Sequence, residues 1–382
     1  MSADSTPGPG TAGETGTSGP RRRAGSGRRK PRGKRRKGLL ITAWTAAGIV
    51  VLGGTGVGYV YFKLNGNLRS IDIDQVLGTD RPGKADNGSE NILVLGSDTR
   101  SGDNRALGGG ADDGTARSDT AMIVHVHEGH RKASVVSIPR DTLIDRPACT
   151  DSDGDTHPAA SEVMFNSAYS TGGAACAVKT VETLTGLRMD HYLEVDFGGF
   201  RKLIDELGGV EVTTTEAIQD PDSHLDLKAG THRLDGEQAL GLVRTRHGVG
   251  DGSDLGRIQL QQAFLKALLD QIDRIDLFGS PKKLYALADT ATRAVTTDSG
   301  LGSVNSLMSF ASGLEGIGAS GMTMVTMPVV YDPADPNRVL LEETKARQVW
   351  TALRNDRPIP GSATEGTATG EAKGVVSAGQ PR

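Results

Sequence analysis

Three apolar runs of this chain carry an arginine and an aspartate at one end. NILVLGSDTR (91–100) closes on Asp98 and Arg100. RSDTAMIVHV (117–126) opens on Arg117 and Asp119, and SIPRD (137–141) closes on Arg140 and Asp141. A second basic cluster lies in VRTRHGVGDGSDLGRIQLQQ (243–262), with Arg244 and Arg246 two apart and Arg257 and Gln261 four apart. The first two share one side of an extended segment, and the second two share one face of a helix. The glycine-rich loop between them can bring the pairs together. Arginine's planar fork matches phosphate oxygens and stays charged at any working pH. Aspartates among arginines suit a hard cation such as Mg²⁺, held by one or two carboxylates and phosphate oxygens. Any one such pair reads better as a salt bridge at a strand end. Their recurrence at turns of an acidic body points to a pyrophosphate–metal site.

The elements that must position these residues alternate. NILVLGS, AMIVHVH, ASVVSIP, HYLEVDF, GVEVTTT and MTMVTMPVV read as strands. Residues 165–186 read as a helix with a glycine interruption, and 200–209 as an amphipathic helix stopped by glycine. Residues 234–244 open on an aspartate cap with Glu237 and Gln238 behind it. Residues 253–272, 282–294, 300–314 and 339–355 read as further helices. The fold class is α/β, a mixed central sheet flanked by helices. Only EGHRK, a hairpin-like connection, joins AMIVHVH and ASVVSIP, so a wholly parallel sheet is not required. If those two strands pair antiparallel, Asp119 and Arg140 share a sheet edge. Asp98 joins them if its strand runs with ASVVSIP. Strand ends are favoured ligand sites in α/β sheets.

The net charge of −4 hides an asymmetry. Residues 1–38 hold eleven Lys or Arg and two acidic residues, 39–62 hold no charge, and 63–382 hold 32 basic and 45 acidic residues. Twenty-four uncharged residues, five of them glycine, suit a transmembrane helix better than a core helix or a cleaved signal. The basic run beside the span sets its topology, placing the N-terminus in the cytoplasm and the body outside the cell membrane. That reading is preferred to a nucleic-acid-binding arm. The division expected is 1–38 disordered, 39–62 transmembrane, 63–89 a polar stalk, 90–355 the folded domain and 356–382 an unfolded tail. Cys149 and Cys176 can pair in an oxidising compartment, or remain two free thiols.

Other chemistry is sparse. The chain has no P-loop, GxSxG, HExxH or CxxC. His125 and His127 alternate on a strand with no further ligand at a helpful spacing, and read as solvent-facing. His247 stands at the edge of the basic cluster. Asn166 and Tyr169 are a helix cap and a core aromatic, or pocket residues.

The ordered set LVLGSDTR, RSDTAMIV, VSIPRDT, FNSAYSTGG, YLEVDFGGFRKLIDELGGVEV, LDGEQALGLVRTR and DLGRIQLQQ, from about Asn91 to Leu269, resembles the LytR–CpsA–Psr family of cell-wall glycopolymer transferases. Each motif is weak alone, and their order is specific. The resemblance implies a three-layer αβα domain with a deep apolar pocket for a polyprenyl chain. It implies transfer of a glycan phosphate from an undecaprenyl or decaprenyl pyrophosphate carrier to the muramic acid hydroxyl of peptidoglycan, with release of polyprenyl phosphate. It places Mg²⁺ or Mn²⁺ on Asp98 and Asp119, and pyrophosphate on Arg117, Arg140, Arg244, Arg246 and Arg257 with Gln261. Arg100, Asp141 and Asn166 are assigned to substrate binding, and Asp98 or Asp141 is a candidate base. The insert SGDNRALGGGADDGTA (101–116) departs from the simplest family pattern. Two alternatives remain: a pyrophosphate hydrolase using water as acceptor, and a non-catalytic wall receptor or regulator.

Overall fold

The computed structural model describes residues 57–98, 117–275, 280–368 and 372–379. The chain divides into Met1–Gly58 and Tyr59–Arg382, and the fold below is that of the second unit. The arm 1–38 and most of the uncharged segment 39–62 lie outside the described residues, as do Arg100 and the insert 101–116. No helix among the described residues is long and apolar enough to cross a membrane.

Seven strands build the main sheet: β1 (Arg69–Ile71), β2 (Glu90–Asp98), β3 (Arg117–Val126), β4 (Ala133–Ile138), β5 (His191–Asp196), β6 (Val295–Asp298) and β7 (Met322–Thr326). Their order is β1-β6-β5-β2-β3-β4-β7. The sheet is mixed. β2 is antiparallel to β3 and β3 to β4, whereas β2 is parallel to β5 and β4 to β7. This makes the end of β2, the start of β3 and the end of β4 neighbours.

The helices after β2 are α1 (Asn166–Thr185), α2 (Phe197–Leu207), α3 (Gly236–Arg244), α4 (Asp254–Arg274), α5 (Pro281–Ala294), α6 (Val304–Leu314) and α7 (Glu343–Arg354) among the described residues. On one sheet face Leu93, Ile123 and Val136 form a core with Val178 and Val181 of α1 and Trp350 and Leu353 of α7. Towards the other face α4 reaches the sheet through Gln261 to Thr120 and Gln262 to Ser137. Its apolar residues Leu260 and Phe264 join Ile204 of α2 and Leu242 of α3 in a second core.

The glycine interruption of α1 is real. Gly172 and Gly173 have non-helical dihedrals, and a Cβ on Gly172 would lie 2.3 Å from the Cys176 sulfur. Cys176 is joined to Cys149 by a disulfide, so the cysteines are not free thiols. Asp235 and Gln238 make the capping box expected at the start of α3.

Three expectations fail. Residues 63–89 are no stalk: Arg69–Ile71 pairs with β6, Ile73 is buried, and Arg81 is ion-paired to Glu182 inside the domain. Their polar composition hid two isoleucines and an arginine whose partner lies 101 residues away. The tail is not unfolded throughout: Val376–Ala378 pairs with Val210–Thr214, and Ala363, Ala372 and Val375 are buried. Its small-residue composition masks one apolar strand. Residues 339–341 form a strand, and the closing helix starts only at Glu343.

Candidate functional site

The site grows from the sheet edge. Gly96 pairs with Thr120 and Ser97 with Ser118, so Asp119 stands without a partner in a bulge of β3. Bulges re-aim side chains and are common beside active sites. The Asp119 carboxylate accepts from Nη1 of Arg140, which follows β4. Asp98 and Arg117 face each other across the β2–β3 ladder at this edge, and their side chains lie outside the described residues.

The 243–262 segment closes over the same edge. Ser253 caps α4 by accepting from the Gly256 amide, which leaves the carboxylate of Asp254 free of capping. That carboxylate is 7% exposed and accepts from the Arg140 backbone amide at 3.0 Å through Oδ2. Its Oδ1 meets Nη2 of Arg257, lies 3.6 Å from Arg246 Nη2 and lies 3.8 Å from Arg140 Nε. Arg257 is 4% exposed and donates to the Asp119 carbonyl at 2.9 Å. Gln261 bridges Thr120 and the Val243 carbonyl, locking α4 and the end of α3 to the sheet.

Asp141 stands 3.8 Å from both Arg140 and Arg246. Burial pushes its carboxyl above the ordinary value and Asp254 adds to this, while Arg140, Arg257 and Arg338 oppose it. The structure thus gathers Asp119, Arg140, Asp141, Arg246, Arg257 and Gln261 in one place. The Asn166 amide donates to the Arg140 carbonyl. Arg244 ends α3 with its guanidinium 5.3 Å from the Phe197 ring. His247 is exposed and faces Asp220 and Asp222, away from the buried arginines' own carboxylates.

Three guanidinium nitrogens decide what this cluster is for. Arg140 Nε, Arg246 Nη2 and Arg257 Nε are buried and have no hydrogen-bond partner. A buried donor left unpaired costs about 1–3 kcal/mol, and three in one cluster mark a place built for acceptors. Arg140 and Arg246 line a cleft of about 460 Å³ together with Asp141, Asn166, Asp254 and Arg338, and Arg257 lies behind it on Asp254.

An apolar surface lies nearby. Val94 is paired with Met122 and with Leu193, so the three share one sheet face. They and Val124 are only half-buried, whereas Leu93, Leu95 and Ile123 on the opposite face are fully buried. The face towards α2 and α4 is therefore incompletely filled.

The LytR_cpsA_psr family model matches residues 60–355. The chain belongs to the LytR–CpsA–Psr family. Within it, the chain is 30% identical over 334 residues to the probable cell wall biosynthesis protein LcpB of Corynebacterium glutamicum, covering 84% of this chain and 74% of that protein. It is 29% identical over 337 residues to the polyisoprenyl-teichoic acid–peptidoglycan teichoic acid transferase TagT of Bacillus subtilis, covering 85% and 95%. The crystal structure of B. subtilis TagV superposes with a TM-score of 0.54 at 25% identity, covering 71% of this chain and 97% of that one. This is a family of enzymes whose named relatives include transferases that join teichoic acid to peptidoglycan.

In this LytR–CpsA–Psr chain, sequence reasoning missed Asp254, Arg338 and Tyr331. Asp254 was legible in principle: serine at 253 is a sufficient cap, so the next aspartate was available for the arginines. Arg338 and Tyr331 reach the cleft from a segment with no motif.

Proposed function

We propose that the chain transfers a glycopolymer phosphate from a polyprenyl pyrophosphate carrier to the muramic acid hydroxyl of peptidoglycan. The acceptor oxygen forms a bond to the phosphorus that bears the glycan. The bond from that phosphorus to the bridging oxygen breaks, and polyprenyl phosphate leaves. The observation carrying the reading is the trio of buried, unpartnered guanidinium nitrogens at Arg140, Arg246 and Arg257. Fixed cationic donors favour the charge that builds on pyrophosphate oxygens during in-line displacement, and they need no reorganisation at that moment. The half-buried face of Val94, Met122, Val124 and Leu193 supports a polyprenyl chain as the carrier's apolar part.

Asp141 is the base this reading favours. Its raised proton affinity suits it to accept the hydroxyl proton, and it lines the cleft. Asp98 is the other candidate base. The donor set also fits a hard cation. Asp119 presents a carboxylate in a bulge beside the arginines, and the ladder brings Asp98 to the same edge. Asp98 and Asp119 would hold Mg²⁺ or Mn²⁺, which when bound would neutralise pyrophosphate charge.

The chain is proposed to be anchored by residues 39–62 with its domain outside the membrane. The Cys149–Cys176 disulfide supports an oxidising compartment. To test the function, the full chain in detergent with Mg²⁺ is given a short-chain polyprenyl pyrophosphate saccharide, with and without a peptidoglycan oligomer. The reading expects polyprenyl phosphate release that depends on the oligomer. Equal release in both arms would establish a hydrolase instead, and no release with bound lipid would favour a receptor.

A further inference from the structure

β3 carries a second cluster at its far end. Asp119 and His127 are eight residues apart, roughly 27 Å along a strand at about 3.4 Å per residue. His125 is 1% exposed, so it is not the solvent-facing residue its alternation suggested. The missing carboxylate is Asp356, just beyond α7 and 231 residues from His125. Its Oδ1 lies 3.1 Å from His125 Nε2 and 2.6 Å from His127 Nδ1. The three ligand atoms lie within 4.8 Å of one another.

The outer atoms fix the tautomer of one ring and admit two for the other. Asn91 donates through its amide nitrogen to the Arg188 carbonyl, so its Oδ1 faces His125 Nδ1 as an acceptor at 2.8 Å. His125 Nδ1 therefore carries the proton, and Nε2 is left to face Asp356. His127 Nε2 lies 2.9 Å from the Ser134 hydroxyl, which can accept its proton and leave Nδ1 bare towards the same carboxylate oxygen, or donate to it and leave Nδ1–H there. Asp356 Oδ2 is occupied by the Glu128 amide at 3.1 Å, so Oδ1 alone points at the two rings. Asp356 holds this position at φ 50°, a left-handed conformation uncommon outside glycine.

The neutral His125 ring thus turns a nitrogen lone pair on a carboxylate oxygen, and His127 does the same when it donates to Ser134. The two rings stand 4.7 Å apart and His125 is buried. A divalent cation between the three atoms resolves the conflict. Each ligating histidine then has its other nitrogen held by an outer partner, the arrangement that orients metal-bound imidazoles.

We propose that His125, His127 and Asp356 form a Zn²⁺ site with a fourth position open to water. The site is independent of the arginine cleft and clips the end of α7 to the sheet.

The test uses the full chain, stripped with EDTA and equilibrated with Zn²⁺ in excess Mg²⁺, which competes at oxygen-only sites. Metal analysis should find one bound zinc that Asp119→Ala retains. His127→Ala and Asp356→Asn should both lose it; the second keeps an acceptor for the Glu128 amide, so its fold is protected. Zinc should raise the melting temperature of the parent chain and leave that of His127→Ala unchanged. Co²⁺ in its place should give the intense visible bands of a four-coordinate ion. A parent chain that comes through equilibration without zinc would reduce the cluster to an ion pair and overturn the proposal. So would variants that keep the metal, or a melting shift that persists in His127→Ala.

Discussion

Two buried arginine sites in this domain differ in one respect. Arg81 is fully committed. Its Nε and Nη2 donate to Glu182, Nη2 also donates to the Met189 carbonyl at 2.8 Å, and Nη1 meets Asp74. Glu182 in turn accepts the Met189 amide. Around Arg140, Arg246 and Arg257 the carboxylates are present, yet three nitrogens find no acceptor. Both set buried guanidinium nitrogens among carboxylates. The first closes on itself and ties the 63–89 segment to α1. The second is held open by the bulge at Asp119 and by Ser253, whose cap frees Asp254. Stoichiometry of donors, rather than the number of ion pairs, separates a clamp from a binding site.

The largest effect should come from the open site. Arg246→Ala should lower the transfer rate about 10²–10³-fold, the usual cost of deleting one transition-state donor. Its melting temperature should stay close to that of the parent. Arg244→Ala, whose guanidinium lies beside Phe197 rather than in this cluster, should also slow transfer, with the fold intact by circular dichroism. Parent-like rates in either variant would break the comparison from the functional side.

At the closed site the order reverses. Arg81→Ala leaves Glu182 buried and uncompensated, at a cost of about 3–5 kcal/mol. Urea denaturation should show that loss, while the folded fraction keeps parent-like activity per molecule. A transfer defect in well-folded Arg81→Ala would mean the two sites are not separable. Removing the Cys149–Cys176 bridge with a double alanine variant should cost about 3–4 kcal/mol by loop entropy at a separation of 27 residues. That too should leave the turnover of folded protein unchanged.

The smallest effect is a pH dependence with opposite signs for rate and stability. The folded chain holds the Asp141 proton to higher pH than the unfolded chain does. Its contribution to stability is full below the ordinary aspartate value near 3.8 and is lost as pH rises through the higher folded value. The rate should rise over that same interval as the base ionises. In Asp141→Asn that limb should disappear from the pH–rate profile. Persistence of the limb would transfer the role of base to another group.

Much of the site was legible because its determinants are local. Asp119 and Arg140 required only an antiparallel β3–β4 connection to meet, which EGHRK pointed to, and Asp98 required in addition that β2 run with β4. Arg257 and Gln261 required only helical spacing. The failures are all long-range. His125 looked solvent-facing because its strand alternates, while Asp356 arrives from beyond the last helix. Arg81 looked like stalk because Glu182 is distant in sequence. The tail strand at 376–378 is a short apolar run in small-residue sequence, and only its pairing with 210–214 makes it structural. Composition reports whether a segment can bury a core, and says nothing of one strand borrowed by a neighbouring sheet.

The most direct test is single-turnover transfer with the full chain and Arg246→Ala side by side. Both receive Mg²⁺, a short-chain polyprenyl pyrophosphate saccharide and a peptidoglycan oligomer, with products read by mass spectrometry. The account predicts a phosphodiester-linked saccharide on the oligomer from the parent chain, and its near absence from an equally folded variant. The same adduct at the same rate from both would contradict it.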